Sequence, residues 1–341
     1  MNTNFLCVNI HRQRGFSMVE LMVSLTLGLF LIAGVVQLFA GSKSTNNTLN
    51  AVSDIQQNGR IAIERLKTGL RMAGHMGCSN LGVSEPAVIA TTLPYTFDLE
   101  SVVQGSNNAA SGNTDNAKAG TDVLTVISAT GADADLKINM TGVFSNIKLT
   151  SNPSNIQAGD VLVISDCENF DIFTATVVTN NTNNTVIKHQ KNDANSVKVN
   201  KNGKLSKVYR DNALVLRVGQ VTYAVQDTGR TDKAGNAIFS LFETRGGVAT
   251  EVVSGVDDMQ LSYGVDTGVD GAADVYRTAN QISGVQWGSV VSVRISLVIS
   301  TEGDSGGDVH PYRLNGAIIT PTDDRIRKVF NTTVSLRNRI S

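Results

Sequence analysis

Apolar positions along the chain change their rhythm twice. From Phe16 to about Ala40 they are nearly continuous, and no charged residue falls between Glu20 and Lys43. Beyond that run they recur at helical spacing, as Leu49, Val52, Ile55, Ile63, Leu66 and Leu70. Lys43, Asp54, Arg60, Glu64, Arg65, Lys67 and Arg71 take other positions. No proline precedes Pro86. The two patterns therefore read as one helix from about Phe16 to about Ala73, roughly 85–90 Å long at 1.5 Å rise per residue. Gly74 and Gly77 mark its end. Gly28, Gly34, Gly41 and Gly59 are expected soft points, each costing about 1 kcal/mol relative to alanine.

Past the helix the period drops to two. Met259, Leu261, Tyr263 and Val265 share one strand face, as do Val291, Val293, Ile295 and Leu297. Phe330, Thr332, Val334 and Leu336 form a third set, and Leu214, Leu216 and Val218 a fourth. Thr121–Ser128 and Asp160–Ser165 add short apolar strands, and clusters of Gly, Asn and Asp separate them as turns. The expected fold class is α+β: a long N-terminal helix packed on a mostly antiparallel, β-rich head. Ser106–Gly120 reads as a mobile polar loop, and residues 179–207 as a long hairpin or insertion. No internal repeat is visible.

The Phe16–Ala40 run would give roughly 37 Å of helix, enough to cross a hydrocarbon core of about 30 Å. Arg12 and Arg14 precede it without a compensating acid, which places the N-terminus in the cytoplasm and the rest of the chain outside the inner membrane. A secretory signal would have a shorter apolar stretch, of about 7–15 residues. A plain anchor leaves Glu20 unexplained, since a carboxylate inside a span costs about 2.5–3.5 kcal/mol on insertion scales.

The segment Arg14-Gly15-Phe16-Ser17-Met18-Val19-Glu20-Leu21-Met22 resembles the processing motif of type IV prepilins. The resemblance implies that a prepilin peptidase cuts between Gly15 and Phe16, that Phe16 is then N-methylated, and that Glu20 is the fifth residue of the mature chain. The new α-amino group is largely cationic near neutral pH and needs a partner in apolar surroundings. Glu20 can supply it, in its own subunit or in a neighbour, and so set the register of helix against helix. The stretch from Gly15 to Cys78, together with Val256–Asp266 and Val329–Asn338, is further similar to the PilW group of minor pilins.

That likeness implies a division into a leader (1–15), a membrane or filament-core half of the helix (16–40), an amphipathic half (41–78) and a head (79–341). It implies a role in pilus assembly and priming, with the pilus tip as one site of action, in support of twitching motility, adhesion or DNA uptake. The implied partners are the prepilin peptidase, other minor pilins, the major pilin, the inner-membrane assembly platform and the bilayer around residues 16–40. The implied route runs from the inner membrane, with a periplasmic head, to a cell-surface pilus. A type II secretion pseudopilin and a membrane-tethered adhesin or ligand-binding module are the alternatives.

Three cysteines are awkward in an exported protein. Cys7 lies in the leader, and its removal leaves Cys78 and Cys167. In an oxidising compartment that pair reads as one disulfide, worth roughly 4 kcal/mol through closure of a loop of about 90 residues. Two buried free thiols remain the other reading.

Composition narrows the chemistry. Net charge is −1, which gives no global case for a nucleic-acid ligand. Four His, three Cys and no CxxC or HExxH spacing leave little for a metal centre, and no cofactor is expected. Gly303-Asp304-Ser305-Gly306-Gly307 copies a protease nucleophile motif, but His75 at the end of a long helix makes a poor triad partner. No catalytic set converges, so a non-catalytic protein is expected. Asp266, Asp270 and Asp274 form an acidic loop that could hold calcium, although its spacing departs from the EF-hand and a solvated hairpin loop reads better. Lys188, Lys191, Lys198, Lys201, Lys204, Lys207 and Arg210 form a candidate patch for DNA, lipopolysaccharide or an acidic partner subunit. Only Asp193 opposes them there.

Overall fold

Ser17 starts the helix. Its Oγ accepts from the Glu20 N–H at 3.2 Å, and its carbonyl accepts from Leu21 N–H at 3.1 Å, so it acts as an N-cap. The computed structural model describes residues 15–78, 87–91, 102–303 and 309–338. The helix α1 runs Met18–Met72 without interruption. The chain divides into two units between Ala51 and Val52. The first holds the apolar part of α1, and the second holds the rest of α1 with the head.

The strands are β1 (Ala87–Val88), β2 (Val103–Ser106), β3 (Val123–Asp135), β4 (Ile147–Leu149), β5 (Val161–Ser165), β6 (Phe170–Thr174), β7 (Val177–Asn181), β8 (Asn184–Lys188) and β9 (Leu214–Thr231). They continue as β10 (Ala237–Arg245), β11 (Val248–Ser254), β12 (Val256–Val265), β13 (Val275–Arg277), β14 (Val290–Ser300), β15 (Tyr312–Leu314), β16 (Ala317–Ile319) and β17 (Arg327–Ser335). One eight-stranded sheet has the order β1-β6-β5-β9-β10-β11, with β3 also on β9 and β2 on β3. A second has the order β13-β12-β14-β17, a third β4-β8-β7, and β15 pairs with β16. All pairings are antiparallel except β1 with β6.

The period-two sets fall on strands as expected. Met259, Leu261, Tyr263 and Val265 line β12, and Val291, Val293, Ile295 and Leu297 line β14; all eight are buried. β5 is buried on both faces because it separates two cores. Val161 and Val163 face the core beneath α1, and Leu162 and Ile164 face a second core with Ile147, Ile187, Leu205 and Tyr209. Ser106–Gly120, expected to be a mobile loop, is instead tied down, with Ser106 ending β2. Asn113 bonds four neighbouring backbone groups, and buried Asp122 accepts from the N–H groups of Asn108 (2.9 Å) and Leu261 (2.7 Å). The 179–207 stretch resolves into the β7–β8 hairpin followed by an irregular excursion.

The buried stripe of α1 differs from the expected one. Ile55, Gly59, Ala62, Leu66 and Leu70 are buried, while Leu49 is exposed and Val52 and Ile63 are half-buried. Small residues carry part of the stripe because the head's own rings come up to the helix backbone.

Candidate functional site

Gly15 and Phe16 precede α1 outside regular secondary structure, and Phe16 is exposed. Glu20 sits in the first turn, where the partial positive charge of the helix N-terminus favours a carboxylate. It is exposed and has no ion-pair partner among the described residues. Apolar side chains from Met18 to Phe39 stand outward around the helix. The two hydroxyl side chains among them, Ser24 and Thr26, are satisfied internally. Ser24 Oγ donates to Glu20 O at 2.8 Å, and Thr26 Oγ1 donates to Val23 O at 2.9 Å. Such local bonds let a helix enter hydrocarbon without stranded hydroxyls. Among the described residues α1 is the one helix long and apolar enough to cross a membrane.

The later part of α1 lies in a socket on the head. The Phe330 ring of β17 occupies the space a Cβ would need at Gly59. Asn58 Nδ2 donates to Ser254 O at 3.2 Å. Arg65 grips Glu243 with two bonds, Nε to Oε2 at 2.5 Å and Nη2 to Oε1 at 2.8 Å, and Arg245 pairs with the same carboxylate. Burial alone would raise the Glu243 pKa, but the Arg65 and Arg245 guanidiniums outweigh it and hold the carboxyl below its ordinary value. A Cβ on Gly69 would come within 2.5 Å of the Tyr223 hydroxyl. Burial, followed by the nearby Glu243 charge, pushes Tyr223 up to about 12.

The helix end is fastened three ways. Asn338 Nδ2 donates to the carbonyls of Ala73 (2.9 Å) and Arg71 (3.3 Å), satisfying two groups that the helix leaves open. Gly74, at φ +71, donates to Ile127 O, and Ala129 donates to His75 O, both on the β3 side. Gly77, at φ +91 and close to Ser165, then brings Cys78 to Cys167. The two cysteines form a disulfide with Cα atoms 4.5 Å apart.

The other candidate residues fall elsewhere. Asp266 accepts from the N–H groups of Val269 and Gly271, Asp274 from Thr267 and Gly268, and Asp270 from Ala272. These carboxylates stabilise the turns of their own loop, and no group of three metal-capable side chains gathers among the described residues. In the basic stretch, Lys207 pairs with Asp166 at 2.7 Å and Glu168 at 3.3 Å, so it leaves the patch. Lys191, Lys198, Lys201, Lys204 and Arg210 are exposed and Lys188 is half-buried. Asp304–Asp308 of the protease-like motif and the leader through Arg14 lie outside the described residues.

The family model for type IV pilus-assembly protein W matches residues 222–338, and the model for the prokaryotic N-terminal methylation motif matches residues 10–36. The last third of the chain is thus similar to the PilW family, and its N-terminus carries a prepilin-type motif. No curated protein and no solved structure matches it. The PilW-like stretch includes Tyr223, Glu243, Arg245, Ser254, Phe330 and Asn338, head residues that meet the helix from Asn58 to Ala73. The likeness read at Val256–Asp266 and Val329–Asn338 falls inside this match, whereas residues 37–78 lie in neither match. Sequence reading missed Ser17 as the cap, although Ser17-Met18-Val19-Glu20 has the S-x-x-E spacing of a capping box. It also missed Gly69, Glu243 and the capping role of Asn338. These act through contacts distant in sequence.

Proposed function

We propose that this chain is a minor prepilin that takes part in assembling and priming type IV pili, without catalysis of its own. The observation that carries the reading is the joining of two family features on one helix. A prepilin methylation motif starts α1, and the PilW-like strands of the head hold its other end. In this reading the prepilin peptidase cuts between Gly15 and Phe16, and Phe16 is methylated. The freed amino group pairs with Glu20 in its own or a neighbouring subunit. Residues 16–40 hold the chain in the inner membrane, with the N-terminus cytoplasmic and the head periplasmic, until the subunit joins other minor pilins and the major pilin on the assembly platform. A head of this bulk suits few positions in a thin fibre, which favours a low-copy place at the tip.

The test is a count of surface pili in a strain lacking the gene, with secreted protein assayed in the same culture. Lost or sparse pili with normal secretion are expected. Normal pili with failed secretion would assign the chain to the pseudopilins. Normal pili with normal secretion would overturn the assembly role.

A further inference from the structure

The second core of the head carries a surface that the assembly reading does not use. Phe144 is 64% exposed, and within the head it is the exposed phenylalanine among the described residues. A tight turn holds it out. Ser145 N–H donates to Gly142 O at 3.0 Å, and Ser145 Oγ accepts from the N–H groups of Thr141 and Gly142. The turn is fixed to the basic segment behind it. Leu205 N–H donates to Val143 O, and the buried ring of His189 lies 2.9 Å from Ser145 O and 3.0 Å from Gly203 O. Met140 N–H donates to Tyr209 O, and Asp211 N–H to Asn139 Oδ1. These bonds tie the Phe144 turn to the backbone next to Lys204 and Arg210, which are exposed, as are Ile138 and Val208.

Charge is segregated in the same place. From Thr174 to Arg210, leaving out Lys207, which Asp166 and Glu168 take, there are five lysines and one arginine against Asp193, a net +5 in a chain whose total is −1. The Asp193 carboxylate is occupied by the N–H groups of Asn195 and Val197. Buried polar groups keep the segment in place: Asn200 bonds Thr174 on both backbone groups, and Asp171 accepts from Ser206.

We propose that the Phe144 turn and the adjoining 188–210 segment form a docking surface for a protein partner whose contact face is acidic around an apolar pocket. An exposed ring on a turn bonded to a segment that exposes Val208, Lys204 and Arg210 fits the anatomy of a protein interface, in which aromatic and Arg anchors carry most of the affinity. A phosphate polymer gains nothing from Ile138 and Val208, and Tyr209, the ring inside the basic segment, is buried. The identity of that partner as a pilus subunit rests on the assembly reading; the surface itself does not.

The test places a photo-crosslinking benzoyl-phenylalanine at position 144 of the full chain in its own cells, with the same probe at exposed Val248 as a control. The expected result is a crosslink from position 144, absent from position 248, to a pilus-system protein at a peptide rich in Asp and Glu. K204E/R210E should reduce its yield about tenfold, as steering by opposite charge requires. Melting of the purified F144S and K204E/R210E proteins should match wild type, showing that the fold is kept. No crosslink above the control, a crosslink to nucleic acid or to a second copy, or a yield indifferent to charge reversal would overturn the proposal. A charge-dependent crosslink to an acidic protein outside the pilus system would keep the surface and count against the assembly reading.

Discussion

The ring of Phe330 lies against the backbone of Gly59, in space that any side chain at that position would claim. Sequence alone makes Gly59 a soft point, because glycine costs helix stability. In the structure it is a point of close approach between α1 and β17. Gly41 has open space around its Cβ position. The two glycines should therefore respond oppositely. Gly59→Ala gains about 1 kcal/mol of helix propensity but overpacks at a cost of about 1–3 kcal/mol, so the net effect is destabilising. Gly41→Ala should be neutral or stabilising. Thermal unfolding of the full chain in neutral detergent reads both, and Phe330→Leu should restore part of the loss in Gly59→Ala.

The Arg65–Glu243 clamp gives the docking of α1 a pH dependence. The Glu243 carboxyl titrates lower in the folded chain than in the unfolded one. Its contribution is therefore complete above the unfolded value of about 4.3 and is lost as pH falls through the folded value. Melting temperature measured from about pH 6 down to about pH 3 should fall more steeply in wild type than in Glu243→Gln. At neutral pH the variant should be less stable by about 1–3 kcal/mol, since it leaves two guanidiniums without their carboxylate. Equal slopes would show that the clamp does not couple to folding.

Removing the disulfide should cost up to about 4 kcal/mol for a loop of this length. The pair is separated by 89 residues, joining the end of α1 to the β5–β6 turn. Cys78→Ser/Cys167→Ser should melt lower than wild type, and reductant should lower wild type towards it. A thiol titration of the chain lacking its leader should find no free thiol before reduction. Two free thiols would contradict the bridge.

Asn338 tests the cap at the other end of the chain. Its Nδ2 serves the carbonyl of Arg71 in the last helical turn and that of Ala73 just past it. Asn338→Ala should cost about 1 kcal/mol. Asn338→Asp should cost more, because it replaces the donor with an acceptor and sets a negative charge at the negative end of the helix. The order of the three melting temperatures checks this directly.

The helix and the main strands were legible because burial on one face writes a period into the sequence. The run from Phe16 to Ala40 and the alternation at Met259–Val265 and Val291–Leu297 needed no tertiary knowledge. The socket was not legible. Arg65 reads as a solvent-facing residue until Glu243 is placed opposite it, and Gly59 as a soft point until Phe330 arrives. Lys207 looked like one more cation of a patch, but Asp166 and Glu168 across the β5–β6 turn take it. Asp266 and Asp274 left a cation loop open beside the preferred hairpin loop, and the structure folds these carboxylates onto the loop's own N–H groups.

The most direct measurement is the intact mass of the chain recovered from sheared pili and from the membrane of pilus-producing cells. The account predicts a chain that begins at Phe16, carries one added methyl group, and is present in both fractions. A chain that keeps its leader, is cut at any other bond, or never leaves the membrane while pili form normally would contradict it.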